Sequence, residues 1–312
     1  MTRPITFALT VTLLLASTYA AAQQPEVYRP DPSPPKSVTL NAPVTVPLLP
    51  SQVGRAPLPV VEVTINGRGP FRLGVETGAN FIAVSPDVVT QLGLVRAGGP
   101  DDYPEYRADS VRIGGAVFQD MPISAEGRAT GVDGLLGLPF WAGVLLTIDY
   151  PANQLTISHD TLPAPDTKSI VPLTRTADFW SLPLLVAGQP TQGILDTRST
   201  GGFGFTPDAA APLSFTAPPI VIGRARGAAI AETEVKGGQI SGNIVIGRYL
   251  IPQPFIEIRA LPPGFPQVPL IGARVLSHFV VSLDQRTARL RLVHAAGDTV
   301  TLPVPRMGPA PR

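Results

Sequence analysis

The chain of 312 residues contains no cysteine. A lipid-modified N-terminal cysteine is therefore excluded, and with no disulfide available stability must rest on the core. Charge is scarce and balanced: 15% of residues are charged, 24 basic against 23 acidic. That balance gives no basic field for nucleic acid and no polybasic membrane patch. Histidine occurs only at His159, His278 and His294, isolated in the sequence and outside any H-x-x-x-H or carboxylate–histidine cluster. No metal site is expected from them. Ser199 lacks a G-x-S-x-G setting and has no histidine placed as its base. Gly201-Gly202-Phe203-Gly204 opens no helix with a following lysine, so phosphate cradling is not expected. No cofactor is expected.

Long apolar runs are missing as well. The stretch Ile5–Leu15 follows a single charge, Arg3, and leads to Ala20-Ala21-Ala22 ahead of Gln23. It is too short to span a bilayer and reads as a cleaved export signal over residues 1–22. The expectation is an exported protein, periplasmic or secreted, with no membrane span. Its removal takes away Arg3 alone and leaves 23 charges of each sign. Hydrophobic residues make up 44% of the chain, enough for a large core, while 37 prolines and 30 glycines favour short strands joined by turns over long helices.

Period-two alternation dominates. Val61, Val63 and Ile65 alternate with Glu62 and Thr64, and Asn66-Gly67 then marks a tight hairpin. Leu145–Ile148 and Leu155–Ile157 flank a turn at Pro151-Ala152-Asn153, and Leu290 and Leu292 alternate with Arg289 and Arg291. The chain is read as all-β with a few short helices. One helix is expected over Pro86–Leu92, with Ser85 as cap and Gly93 as stop. A second starts at Thr206-Pro207-Asp208 and is ended early by Pro212. Residues 23–54 read as a Pro-rich linker and 303–312 as a loose Pro-rich tail.

Between them lies an internal repeat. Phe71–Val75 runs into Glu76-Thr77-Gly78-Ala79-Asn80, and Gln192–Leu195 runs into Asp196-Thr197-Arg198-Ser199-Thr200. Each is an apolar strand ending in a carboxylate, then Thr, then mostly small residues. Leu135-Leu136-Gly137 precedes Asp149 as Leu270-Ile271-Gly272 precedes Asp284, with the same spacing from Gly to Asp. Ser110–Gly114 matches Asn243–Gly247. The shared order, with one insertion in the second copy, divides the chain into lobes at 55–162 and 168–296, joined at Leu162-Pro163-Ala164-Pro165.

These segments resemble the aspartic peptidases, the pepsin-like and retropepsin-like superfamily. In that family each lobe contributes apolar–Asp–Thr/Ser–Gly–Ala/Ser and, later, an apolar-apolar-Gly segment that braces the active loop. The resemblance implies two β-barrel-like lobes, a peptide or protein substrate in the cleft between them, and Asp196 and Glu76 as the catalytic pair. Thr77, Gly78, Thr197, Arg198 and Ser199 would support the active loops, the two Thr hydroxyls bonding across the lobe interface. Two carboxyls sharing one proton can activate a water and polarise a scissile carbonyl. With both halves on one chain, a monomer suffices. Stretches 101–109, with Tyr103 and Tyr106, and 224–239 are the flap candidates. Asp133, Asp149 and Asp284 are expected to be structural, and Trp141 and Trp180 core or cleft-wall aromatics.

The chain departs from the pattern twice. Glu76 stands where Asp is expected, and Arg198 where Gly is expected. A guanidinium aimed inward would draw both carboxyls toward ionisation and remove the shared proton. Two functions follow: an aspartic endopeptidase with acid-favoured cleavage, or an inactive relative that binds extended peptides.

Overall fold

The structure, a computed structural model, describes residues 28–50, 58–126, 131–166, 168–225, 232–262 and 265–304. The leader at 1–22, part of the linker, most of the C-terminal tail and the tip of the second flap candidate, with Gly227, Ala228 and Ala229, lie outside the described residues.

The protein is nearly all β, with three short α-helices and one 3-10 turn among the described residues. Val60–Ile65 and Arg68–Val75 form the expected hairpin, and Asn66 and Gly67 both take left-handed backbone, at φ 50 and 74°. That is the geometry of a two-residue turn whose twist matches the strands. The helix Pro86–Leu92 is capped as its sequence dictates: the Ser85 hydroxyl accepts from Val88 N–H and Gly93 ends it in left-handed conformation. Pro207–Ala210 is a single turn capped by Thr206.

The first lobe is a closed barrel. Strands run in the order Ala116–Ala125, Ile82–Val84, Gly134–Leu136, Arg68–Val75, Val60–Ile65 and Glu105–Ile113, and the last pairs back onto the first. The second lobe repeats the plan around Gln189–Asp196. The carboxylate strand lies parallel to the apolar-apolar-Gly strand in both copies, Val75 opposite Leu136 and Leu195 opposite Ile271. The next strand then runs antiparallel to it, Ala83 opposite Leu135 and Gly204 opposite Leu270. Inward residues such as Leu73, Ile113, Phe118, Ile194, Phe203 and Ile256 are fully buried.

A six-stranded sheet joins the lobes, three strands from each: Val44–Pro47, Gln154–Ser158 and Leu145–Asp149 from the first, then Val280–Asp284, Arg289–Val293 and Ile170–Pro172 from the second. At its centre Thr147 pairs with Ser282, and their hydroxyls bond at 2.9 Å. Thr147 and Ser282 are 135 residues apart, the separation that relates Gly137 to Gly272. Repeat-equivalent residues thus face each other, and the pseudo-twofold axis passes between them.

Two sequence readings change. Residues 37–39 and 44–47, assigned to a linker, are strands: Ser37–Thr39 pairs with Ala116–Ala125, and Val44–Pro47 is the first-copy counterpart of Ile170–Pro172. Short strands between prolines carry too few alternations to stand out. The histidines are not all isolated, because the rings of His278 and His294 lie 6.3 Å apart. Asp149 and Asp284 hold turns: Asp149 accepts from Ala152 N–H, and the fully buried Asp284 accepts from Leu162 N–H and the Thr287 hydroxyl. Asp133 accepts from Arg72 N–H.

Candidate active site

The two carboxylate loops meet at the pseudo-twofold axis, and threonine locks them together. The Thr77 hydroxyl donates to Leu195 O at 2.9 Å and accepts from Thr197 N–H at 3.3 Å. The Thr197 hydroxyl donates to Val75 O at 2.6 Å and accepts from Thr77 N–H at 3.1 Å. All four bonds cross between lobes. Each hydroxyl uses a donor and an acceptor function, and both side chains are buried. A hydroxyl is needed at both positions; Val would fill the space and break the ring of bonds.

Each loop is braced from below. A Cβ on Gly137 would stand 2.1 Å from Phe81 O, and one on Gly272 would stand 2.4 Å from Gly201 O. Only glycine lets the apolar-apolar-Gly strand come this close. Leu138 N–H then donates to Ala79 O, and Ala273 N–H donates to Ser199 O, at 2.8 Å each. Trp141 is wholly buried and donates from its indole to Leu136 O, so it belongs to the core. Trp180, half-buried, donates to Gln285, whose amide reaches Leu138 O in the other lobe.

Asp196 lies against the opposite loop. A Cβ on Gly78 would stand 2.7 Å from both the Asp196 Cγ and Oδ1. The same oxygen accepts N–H bonds from Arg198 at 3.1 Å and Ser199 at 3.0 Å. On the other side of the axis the equivalent of Gly78 is Arg198, which has the Cβ that Gly78 lacks. An aspartate carboxyl seated as Asp196 is would meet that atom. Glu76, one methylene longer, instead turns its carboxylate to the Arg198 guanidinium, Oε2 to Nη1 at 3.4 Å. The two departures from the motif thus meet each other across the axis.

Arg198 points inward, yet Glu76 does not ionise more readily. Burial pushes its carboxyl up to about 8, and the charges of Asp196 and Glu126 add to that, against the opposing pull of Arg198. Asp196 is also raised by burial, with the Ser199 amide and the Arg259 guanidinium opposing. The expected loss of the shared proton does not follow, because desolvation of a carboxylate outweighs one long ion pair.

The stretch 101–109 contains a hairpin turn: strands Arg96–Gly98 and Glu105–Ile113 pair with Gly98 opposite Glu105. Tyr103 stacks on Tyr28 with centroids 5.7 Å apart, while Tyr106 sits on the strand itself. Sequence reasoning missed Glu126 and Arg259. They share the 133-residue offset of Ser110–Gly114 and Asn243–Gly247, so an extended repeat alignment would have found them. Among the described residues, no group of three or more His, Asp and Glu is placed to hold a metal ion.

Residues 61–140, the stretch that carries Glu76-Thr77-Gly78 and Leu135-Leu136-Gly137, match the family model for aspartyl protease. Over that stretch the chain is similar to the aspartyl protease family. Solved structures similar to this chain include an aspartic proteinase from Irpex lacteus, at 15% identity and a TM-score of 0.49, covering 81% of this chain and 97% of that one. Basic 7S globulin from soybean is similar at 12% identity and a TM-score of 0.42, covering 80% and 94%. No curated protein matches the chain in sequence.

Proposed function

We propose that the protein is an aspartic-type endopeptidase that hydrolyses extended peptides with a carboxylate-activated water held by Glu76 and Asp196. The reading rests on the reciprocal Thr77–Thr197 lock, which fixes two carboxylate loops face to face. Pre-organised placement of acid, base and water is the main thing such a reaction asks of the protein. The two N–H bonds that Asp196 accepts support its part in this reading, and Glu76 would supply the second carboxyl from a longer arm. The pH preference follows from Glu76: with its carboxyl pushed up to about 8, the pair keeps one proton through neutral pH. Cleavage is then expected to persist near pH 7 and to fail above about 8, rather than being confined to acid.

The test is hydrolysis of a denatured protein followed across pH by the parent and by Asp196→Asn. Loss of cleavage in the variant, with the fold intact, supports the reading; equal cleavage by both overturns it. The Glu76–Arg198 ion pair favours a second reading, a peptide-binding relative without turnover. A parent that cleaves nothing, together with activity gained in the double variant Glu76→Asp, Arg198→Gly, selects that one. Export to the periplasm or medium belongs to the same proposal and rests on the pattern of residues 1–22; an N-terminus found near Gln23 in the mature protein would support it.

A further inference from the structure

The arm ahead of the first strand reaches both lobes. Tyr28-Arg29-Pro30-Asp31 belongs to the segment first assigned to a linker. From Lys36 onward the chain is bonded into the first lobe, Lys36 N–H donating to Gln119 O at 2.9 Å. Before that point the arm meets the hairpin of the first flap candidate twice. The Tyr28 ring stacks on Tyr103, and Asp31 N–H donates to Glu105 Oε1 at 2.7 Å. Arg29 then crosses to the second lobe, where its guanidinium donates to Asp178 Oδ2 at 3.1 Å. Asp178 lies in the turn between strands Thr174–Thr176 and Phe179–Val186. The amide of Asn80, at the end of the Glu76 loop, donates to the same oxygen at 3.2 Å. Asp178 is thus anchored from the first lobe by a group other than the arm. An aromatic ring from one lobe and a carboxylate from the other meet a single dipeptide of this chain, beside the carboxylate loop.

We propose that Tyr103 and Asp178 form a recognition site for a peptide that carries an aromatic residue followed by a basic one, and that Tyr28-Arg29 of the arm fills this site when no such peptide is bound. The arm shows how the ligand lies. Pro30 biases Arg29 toward extended backbone, so the arm crosses between the lobes in the form an extended peptide takes. Glu105 accepts a main-chain N–H, a bond that any residue other than proline can supply. The side chains are chosen at the two ends: a planar ring stacks on Tyr103, and a cation pairs with Asp178. An acidic side chain in place of Arg29 would meet the Asp178 carboxylate and be rejected. The arm is also exchangeable. In the Arg29–Asp178 pair the side chains are 61% and 39% exposed, and an ion pair so open to water holds weakly. A peptide offering the same groups can therefore displace it. The proposal rests on the reading of the cleft as a place for extended peptides and names the side chains it takes.

The experiment is binding of the blocked peptide Tyr-Arg-Pro-Asp to the full chain, followed by NMR shifts of the protein amides. The double variant Tyr28→Ala, Arg29→Ala empties the site. It should bind the peptide about tenfold more tightly than the parent, because a tethered competitor has been removed. Asp178→Asn added to that variant should cancel the gain. Asp178→Lys added instead should transfer the preference to the peptide Tyr-Glu-Pro-Asp, which a merely structural Asp178 would not do. The shifts should centre on Tyr103, Glu105 and Asp178. Equal affinity in the parent and the emptied variant overturns the proposal, as does a folded Asp178→Asn form that keeps the gain. Because turnover is not read, the two readings fail separately. A chain that cleaves protein but shows no Asp178-dependent binding defeats this proposal alone, and one that binds as expected but cleaves nothing defeats only the peptidase reading.

Discussion

At the scale of the residue, the site depends on whether a Cβ is present at two repeat-equivalent positions. Gly78 leaves room for Asp196, and Arg198 denies the same room on the other side. Gly78→Ala would place its methyl carbon 2.7 Å from the Asp196 carboxyl. On the proposed peptidase reading, a displacement near 1 Å is then expected to lower the cleavage rate on the order of 10²-fold, with the protein still folded, as steady-state kinetics beside circular dichroism would show. Glu76 also marks stability. Its folded carboxyl holds a proton up to about 8, against an ordinary value of 4.5. The stabilisation is complete below about 4.5, where both states are protonated, and is lost as pH rises through about 8. Urea unfolding measured from pH 5 to 9 should show stability falling, and Glu76→Gln should flatten that slope.

At the scale of the element, two devices fix the loops: the threonine lock and the glycine braces. Thr77→Val or Thr197→Val removes a hydroxyl and leaves a buried carbonyl and N–H unpaired. A loss of about 1–3 kcal/mol is expected for each. The double variant should cost less than the sum, because the first change already opens the ring; chemical denaturation of all four proteins measures the coupling. Gly137→Ala and Gly272→Ala set a methyl carbon against backbone carbonyls that cannot swing aside. They should destabilise as strongly, and should loosen the loop in their own lobe first, as amide hydrogen exchange at Ala79–Phe81 or Ser199–Gly201 would report.

At the scale of the whole molecule, the six-stranded sheet makes the lobes one folding unit. Leu145–Asp149 and Val280–Asp284 pair along their full length across the axis. A lobe made alone exposes a strand edge and the apolar face beneath it, which invites association. Residues 28–162 and 168–304 produced as separate chains should therefore aggregate singly and recover a soluble one-to-one complex when co-expressed. Two soluble, monomeric halves would argue against this shared core. The parent should unfold in one transition by calorimetry.

Sequence alone determined the β class, the two-copy plan, the short capped helices and the paired carboxylate loops, because each is written in local pattern: period-two alternation, cap residues, and short motifs in repeated order. It also named Glu76 and Arg198 as the irregular positions. It could not tell that the first copy begins at Val44–Pro47, since that strand is recognisable only by its partner Gln154–Ser158. Nor could it weigh burial against the Arg198 charge at Glu76. That balance depends on how much water reaches the carboxyl, which both lobes set together.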